Sequence, residues 1–215
     1  MACSFEHELS LRASGVFPVA GIDEAGRGPL AGPVVCAAVI LPLTISLPGL
    51  DDSKKLMPRR REWLYLEITQ NPKILWSVIS IASEEIDRLN ILRATHVGMR
   101  RAWEKLDPRP AHVLIDGLPV SDFPCAQTAL VGGDGISLSI AAASVIAKVE
   151  RDRAMLEYDR LYPEYGFAKH KGYPTAAHFA KLREHGPCPI HRRTFSPVAQ
   201  AELRRSRSHP ARPTR

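Results

Sequence analysis

Gly21-Ile22-Asp23-Glu24-Ala25-Gly26-Arg27-Gly28-Pro29-Leu30-Ala31-Gly32-Pro33 is the stretch that decides the fold. Two adjacent carboxylates follow an apolar segment, residues 17–22, and precede a Gly-Arg-Gly loop. A second apolar segment, residues 33–41, comes after the loop, so the acids stand at the edge of a core. Because the two carboxylates repel each other there, the pKa of one must rise or a cation must lie between them. The stretch predicts two strands and a metal site beside a loop that can approach a phosphate closely.

Two later acids are candidates for the same edge. Asp116 ends an apolar run, residues 111–116, and Asp134 follows another strand-like run, residues 126–131. Asp23 and Asp116 meet if the first and fourth strands are neighbours, although a turn aspartate is an equal alternative for Asp116 on its own. With Glu24 these acids form a site of oxygen ligands, which Mg²⁺ or Mn²⁺ prefers. Two such ions ~4 Å apart can clamp the attacking and leaving oxygens of a phosphodiester.

Several motifs carry a resemblance to a known family. Residues 23–34 resemble the signature of ribonuclease HII, the type 2 ribonuclease H of bacteria. Blocks similar to that family follow in the same order, and the resemblance runs from about Ala20 to Val198. These blocks are Asp52-Ser53-Lys54-Lys55-Leu56, Ile115-Asp116-Gly117, Gly133-Asp134 with residues 139–149, Arg151-Asp152, His170-Lys171-Gly172-Tyr173 and His191-Arg192-Arg193. The resemblance implies an α/β ribonuclease H-like fold, with a mixed central sheet flanked by helices and added C-terminal helices.

The resemblance also implies an activity. It predicts a metal-dependent endonuclease that cuts 5′ to ribonucleotides in RNA–DNA hybrids and to single ribonucleotides embedded in duplex DNA, as in ribonucleotide excision repair. The products would carry 5′-phosphate and 3′-hydroxyl ends. The catalytic and metal-binding residues carry over to Asp23, Glu24, Asp116 and Asp134. The substrate contacts carry over to Gly26, Arg27, Gly28, Lys54 and Tyr173. Taken alone, Tyr173 fits a loop aromatic better.

Other basic residues are weaker candidates for the site. Lys55, Lys148, Lys171 and Arg192 are candidate phosphate contacts. His170 and His191 fit hydrogen-bonded structural histidines better than mechanistic ones. The chain departs from the family pattern at Gly132 and Ile136, where relatives commonly have lysines. Positive charge is thereby lost near Asp134, while the acids stay intact.

Two other functions stay open on the sequence alone. One is a catalytically inactive duplex-binding protein of the same fold; the intact acids speak against it, because idle adjacent carboxylates only cost stability. The other is a different nuclease of this fold, such as a resolvase or an integrase. The Gly-Arg-Gly loop and the His-Lys-Gly-Tyr block speak against that second alternative.

Composition narrows the class of protein. The 215 residues are 45% hydrophobic and 24% charged, as in ordinary globular domains. There is no apolar run of ~20 residues for a membrane helix and no secretory signal at the start, so we expect a cytoplasmic protein, which we predict to be monomeric. The four cysteines show no zinc-type spacing, and Cys36 in its apolar run fits a small core residue.

The net charge of +6 suggests a polyanionic partner, here the RNA–DNA hybrid or the ribonucleotide-containing duplex. Residues 201–215 hold five arginines and one acid, so they carry +4 of this charge and leave +2 for the rest. The five are Arg204, Arg205, Arg207, Arg212 and Arg215. A basic tail of this kind is commonly just solvated.

The chain is predicted to have three parts. Residues 1–15 form an N-terminal extension, residues 16–200 the catalytic domain, and residues 201–215 a disordered tail. We predict strands at residues 19–23, 33–41, 74–82, 111–116 and 126–131. Helices are predicted at residues 58–67, from the cap residue Ser83 to about 106, at 139–161 and at 175–182.

Overall fold

A single mixed sheet forms the centre of the protein. The computed structural model describes residues 3–208, and its five strands are β1 (Val19–Ala25), β2 (Val34–Ile40), β3 (Leu75–Ile81), β4 (His112–Asp116) and β5 (Ala126–Leu130). Their order is β3-β2-β1-β4-β5. β1, β2 and β3 are antiparallel to one another, whereas β4 is parallel to β1 and β5 is parallel to β4. The carboxyl ends of β1, β4 and β5 therefore share one edge, and the predicted mixed sheet is confirmed.

Helices cover both faces of this sheet. They are α1 (Glu6–Ala13), α2 (Pro58–Thr69), α3 (Ser83–Leu89), α4 (Ile91–Glu104), α5 (Leu138–Leu161), α6 (Phe167–His170), α7 (Ala176–His185) and α8 (Ser196–Ser208). α5 packs on β1 and β2 from one side, and α4 packs on β2 and β3 from the other. Every residue of β2 is buried, because both of its faces are covered.

Small residues set the distance between the sheet and its two main helices. A β-carbon at Gly21 would lie 2.1 Å from the backbone of Ser139, so only glycine lets β1 approach the first turn of α5. On the other face, a β-carbon at Gly98 of α4 would lie 2.7 Å from Cys36 Sγ. Cys36 is fully buried, which confirms the prediction of a core residue.

The predicted helix from Ser83 to about residue 106 is wrong in one respect: it is two helices. Asn90 separates α3 from α4 with a φ of 66° and a ψ of 163°, a strained backbone conformation that interrupts the helix. Its side chain then accepts a hydrogen bond from Arg93 N and caps α4. Ser83 is the first helical residue of α3 rather than its cap, which is Ala82.

The N-terminal extension is not an irregular appendage. It forms α1, whose buried Glu8 accepts hydrogen bonds from the Ser137 hydroxyl (2.6 Å) and the Ser139 amide (3.1 Å) at the start of α5. The backbone of Ser4 also bonds to Ile136 and Leu138. Because these partners lie more than 120 residues away, the periodicity of the first 15 residues gives no sign of this packing.

The predicted disordered tail is wrong for residues 201–208. These residues continue α8, which begins at Ser196 and is anchored by buried Val198 against Leu30 and Leu182. Residues 209–215, with Arg212 and Arg215, lie outside the described part of the chain. Between residues 3 and 208, no helix combines the length and apolar character needed to span a membrane.

Candidate active site

Three carboxylates converge at the sheet edge. Asp23 lies in β1, Asp116 is the last residue of β4, and Asp134 lies in a short 3-10 turn, residues 133–135, before α5. One oxygen from each of the three lies within 4.8 Å of the others, and we call these residues the carboxylate cluster. The parallel pairing of β1 with β4 explains the convergence, because both strands end at the same edge. The turn-aspartate alternative for Asp116 therefore fails.

Backbone amides hold two of these acids in place. Asp116 Oδ1 accepts a hydrogen bond of 2.7 Å from Gly133 N, which ties the end of β4 to the turn that carries Asp134. Asp23 Oδ1 accepts one of 2.6 Å from Glu24 N. A β-carbon at Gly133 would lie 2.7 Å from Ile140 Cδ1, so the Ile140 side chain would have to shift to admit a larger residue there.

The cluster is electrostatically strained. Burial, and then the charges of Glu24 and Asp116, raise the pKa of Asp23 well above its ordinary value. Burial, and then the charge of Asp116, also raise the pKa of Asp134. Fully ionised acids so close together need a cation between them. An all-oxygen donor set of this size fits a hard divalent ion, not zinc or copper.

Glu24 stands beside the cluster rather than inside it. Successive residues of a strand point to opposite faces, so the Glu24 side chain leaves β1 on the side away from Asp23. Its carboxylate pairs with Arg27 Nη1 at 3.4 Å. Burial raises the pKa of Glu24, Arg27 lowers it and Asp116 raises it, so Asp116 is near enough to interact with it. The structure thus brings three of the four predicted acids into one group and leaves Glu24 at its rim.

Lys54 supplies positive charge at this edge. Its Nζ lies 3.5 Å from Asp134 Oδ2 and 4.0 Å from Asp52 Oδ1. Burial lowers the pKa of Lys54, but the surrounding acids outweigh that effect and raise it. The neighbouring Ser53 hydroxyl bonds the Ser144 hydroxyl of α5 at 2.8 Å, which fixes the segment on the helix.

A second lysine faces the same turn. Lys55 Nζ pairs with Asp51 at 3.0 Å and lies 3.3 Å from the position of a β-carbon on Gly135. Two lysines from one segment therefore stand against the loop that contains Gly132 and Ile136.

Arg192 holds the Gly-Arg-Gly loop from inside the protein. Its fully buried guanidinium donates hydrogen bonds to the carbonyl oxygens of Gly26 (2.6 Å), Arg27 (2.8 Å) and Gly32 (3.0 Å). In a trans peptide the carbonyl and the next N–H point in opposite directions. The N–H groups of Arg27 and Gly28 therefore point away from Arg192, towards the outside of the loop.

Arg151 joins this loop to the turn that carries Tyr173. It is also fully buried, and it donates to the carbonyl oxygens of Pro33 (3.0 Å) and Lys171 (3.0 Å). The guanidinium carbon lies 5.7 Å from the centre of the Tyr173 ring. That ring is 42% exposed, and its edge lies 3.9 Å from the position of a β-carbon on Gly28. The loop and the tyrosine thus form one continuous surface.

Two of the weaker candidates for phosphate contacts, Arg192 and Lys148, have other partners in the structure. The prediction for Arg192 is wrong, because its guanidinium is buried among backbone carbonyls. Lys148 pairs with Asp152 at 2.6 Å on α5. Burial lowers the pKa of Lys171, whose backbone adopts a φ of 52° next to Gly172. Sequence reasoning missed the roles of both buried arginines, because an arginine in a basic chain gives no sign of its burial.

A family model for ribonuclease HII matches residues 20–198. A ribonuclease HII of Polaromonas sp. is 57% identical over 183 residues, which cover 85% of this chain and 91% of the relative. The chain belongs to the ribonuclease HII family. The protein is therefore a hydrolase, an endoribonuclease that acts on RNA–DNA hybrids and depends on a divalent metal.

Solved structures agree with the fold. The ribonuclease H2 of Pyrococcus horikoshii is 27% identical and aligns with a TM-score of 0.73 over 86% of this chain and 97% of its own. Bst-RNase HIII in complex with Mn²⁺ is 18% identical, with a TM-score of 0.64 over 88% of this chain and 70% of its own. The ribonuclease H-like fold predicted from the motifs is confirmed. The matched relatives are ribonucleases, and none of them supports the inactive duplex-binding alternative.

Proposed function

We propose that Asp23, Glu24, Asp116 and Asp134 bind the divalent metal, Mg²⁺ or Mn²⁺, and carry the hydrolysis of the phosphodiester. The observation behind this is the convergence of three carboxylate oxygens within 4.8 Å at the end of two parallel strands. When bound, the metal supplies positive charge that activates water and stabilises the departing 3′ oxygen. Glu24 completes the donor set from the rim, and its bond to Arg27 is given up or shared when it does so.

Substrate selection rests on the surface formed by Gly26, Arg27, Gly28 and Tyr173. The outward N–H groups of Arg27 and Gly28 can donate to a sugar hydroxyl, and a 2′-hydroxyl is the one group that distinguishes RNA from DNA at a given sugar. The half-exposed Tyr173 ring can stack on the next sugar or base. Lys54, beside Asp134, can contact the phosphate that enters the site. The cut then falls 5′ to the ribonucleotide.

The test is cleavage of three matched duplexes: all-DNA, DNA with one embedded ribonucleotide, and an RNA–DNA hybrid. We expect nicking of the second and third with Mg²⁺ or Mn²⁺, little with Ca²⁺, which accepts looser geometry, and none in excess chelator. The products should carry 5′-phosphate and 3′-hydroxyl ends. Robust cleavage in excess chelator would refute the metal assignment, and equal cleavage of all-DNA would refute the role given to the Gly-Arg-Gly loop.

A further inference from the structure

Three histidines and a cysteine are packed together behind Tyr173. His178 and His191 are fully buried, and their Nε2 atoms lie 3.0 Å apart. His191 Nδ1 lies 3.0 Å from the backbone N of Cys188, and His178 Nδ1 lies 2.9 Å from the carbonyl oxygen of Tyr173. A row of hydrogen bonds thus runs from the Cys188 amide through both rings to the backbone of Tyr173.

The partners at the two ends fix where every proton lies. A backbone amide can only donate, so His191 Nδ1 must accept and its proton sits on Nε2. A carbonyl oxygen can only accept, so His178 Nδ1 must carry a proton and its Nε2 must accept. The central bond is then donated by His191 Nε2–H to His178 Nε2. Both rings have to be neutral, because a second proton on either would place two N–H groups face to face.

The surroundings favour the neutral forms. Burial is the main cause that lowers the pKa of His178 to about 4 and that of His191 to about 3. The charged states of neighbouring His170 and Arg193 act in the same direction on His191. His170 stacks on His178 with ring centres 4.4 Å apart. The row of bonds is therefore intact at neutral pH.

The pair also connects both halves of the substrate surface. The segment around His191 pairs with the Gly-rich loop through Gly32 N to Ile190 O and Arg192 N to Leu30 O, both 2.9 Å. The side chain of His191 then reaches Tyr173 through His178. Tyr173 O accepts a second bond, from Thr175 N at 2.8 Å.

We propose that His178 and His191 are positioning residues that hold the Tyr173 turn at a fixed distance from the Gly-Arg-Gly loop, and so set the preference for a ribonucleotide embedded in DNA. This rests on the substrate role of Tyr173 proposed above. The preference is the ratio of kcat/KM for the duplex with one ribonucleotide to kcat/KM for the RNA–DNA hybrid.

The first test is made on the unaltered protein. Nitrogen-15 NMR of the imidazole rings at pH 7 should show His178 with its proton on Nδ1 and His191 with its proton on Nε2. The opposite tautomer for either ring, or a charged ring, would overturn the proposal.

The second test uses two amides that differ only in where the donor sits. In His178→Asn the side-chain nitrogen falls near the Nδ1 position and can still bond Tyr173 O, whereas in His178→Gln it falls near Nε2. We expect about tenfold loss of preference in the Gln variant, because small misplacements of a positioning group are costly, and a much smaller loss in the Asn variant. His112→Gln is the matched control, since His112 bonds Thr128 on the sheet. Equal preference in the Asn and Gln variants would overturn the proposal.

A double-mutant cycle separates this inference from the function on which it rests. In a Tyr173→Ala background, His178→Gln should cause no further loss of preference, because the ring to be positioned is gone. If His178→Gln lowered the preference equally in the wild-type and the Tyr173→Ala backgrounds, the positioning role of the histidine pair would be overturned, but the substrate role of Tyr173 would not. A Tyr173→Ala protein with unchanged preference would refute the substrate role of Tyr173 itself.

Discussion

Replacement of Arg192 by methionine should give a folded protein that cleaves poorly. Three hydrogen bonds from a charged group contribute roughly 5–9 kcal/mol at about 1.5–3 kcal/mol each. Against them stands the cost of holding the charge there: burial, and then the charge of Arg151, lower the pKa of Arg192 from 12.5 to about 9, which amounts to about 5 kcal/mol. Methionine removes both the bonds and the buried charge, so the free energy of unfolding should fall by only about 2 kcal/mol.

The effect on cleavage should be much larger than the effect on stability. Without Arg192, the carbonyl oxygens of Gly26 and Arg27 lose their buried partner and turn towards water. The peptide planes rotate with them, so the N–H groups of Arg27 and Gly28 no longer point at the substrate. We expect cleavage of the duplex with one ribonucleotide to fall about 100-fold, as for a misplacement of about 1 Å.

The assay combines urea unfolding with single-turnover cleavage of that duplex. Arg193→Met is the matched control, because Arg193 is the next residue, is half exposed and pairs with Glu202 at the protein surface. It should change stability by less than about 0.5 kcal/mol and leave cleavage intact. Wild-type cleavage by a folded Arg192→Met protein would refute the reasoning that the guanidinium orients the loop.

Three further predictions concern charge. Changing any residue of the carboxylate cluster to its amide should lower cleavage about 100-fold or more. Thermal stability should not fall, because the repulsion between the acids is relieved. Asp122→Asn, on an exposed loop, should change neither cleavage nor thermal stability. Stability should fall as pH drops below about 6.5, by roughly 2 kcal/mol per histidine of the buried pair by pH 5, because the unfolded chain binds protons that the folded one refuses. The raised pKa of Asp23 has the opposite effect, because it makes the folded state gain stability as the pH falls. To isolate the contribution of the histidines, urea unfolding of the wild type is compared with that of His178→Phe, whose stability should depend less on pH. Truncation after Ser208 removes two arginines, and the salt slope of duplex binding should flatten by at most ~1.8 while the cut position stays the same.

The strands of the sheet and the acids at its edge could be predicted from the sequence. Apolar runs predicted all five strands. Asp116 was expected beside Asp23 only if the first and fourth strands were neighbours, and the structure shows that they are. One local feature of the sequence, the break between α3 and α4, was not predicted. Asn90 carries the features of a cap, yet the helical periodicity on both sides of it concealed the break between α3 and α4.

The parts that hold the substrate surface could not be predicted. The partners of Arg192 lie about 160 residues earlier in the chain, and the buried bond between His178 and His191 depends on how α7 packs. Burial decides whether an arginine contacts a phosphate or a row of carbonyls, and no pattern within a few residues reports it. Glu8 is a similar case, since a charged residue in a polar helix predicts exposure and here caps another helix.

The order of the site along the chain has a consequence for synthesis. All members of the carboxylate cluster have been translated once α5 is complete, but Tyr173, His178 and Arg192 are translated later. Selectivity is therefore the last property that a growing chain acquires. A product that ends prematurely after α5 contains the whole carboxylate cluster and Arg151, but it lacks Tyr173 and the other residues that brace the surface proposed to choose a ribonucleotide, namely His178, His191 and Arg192.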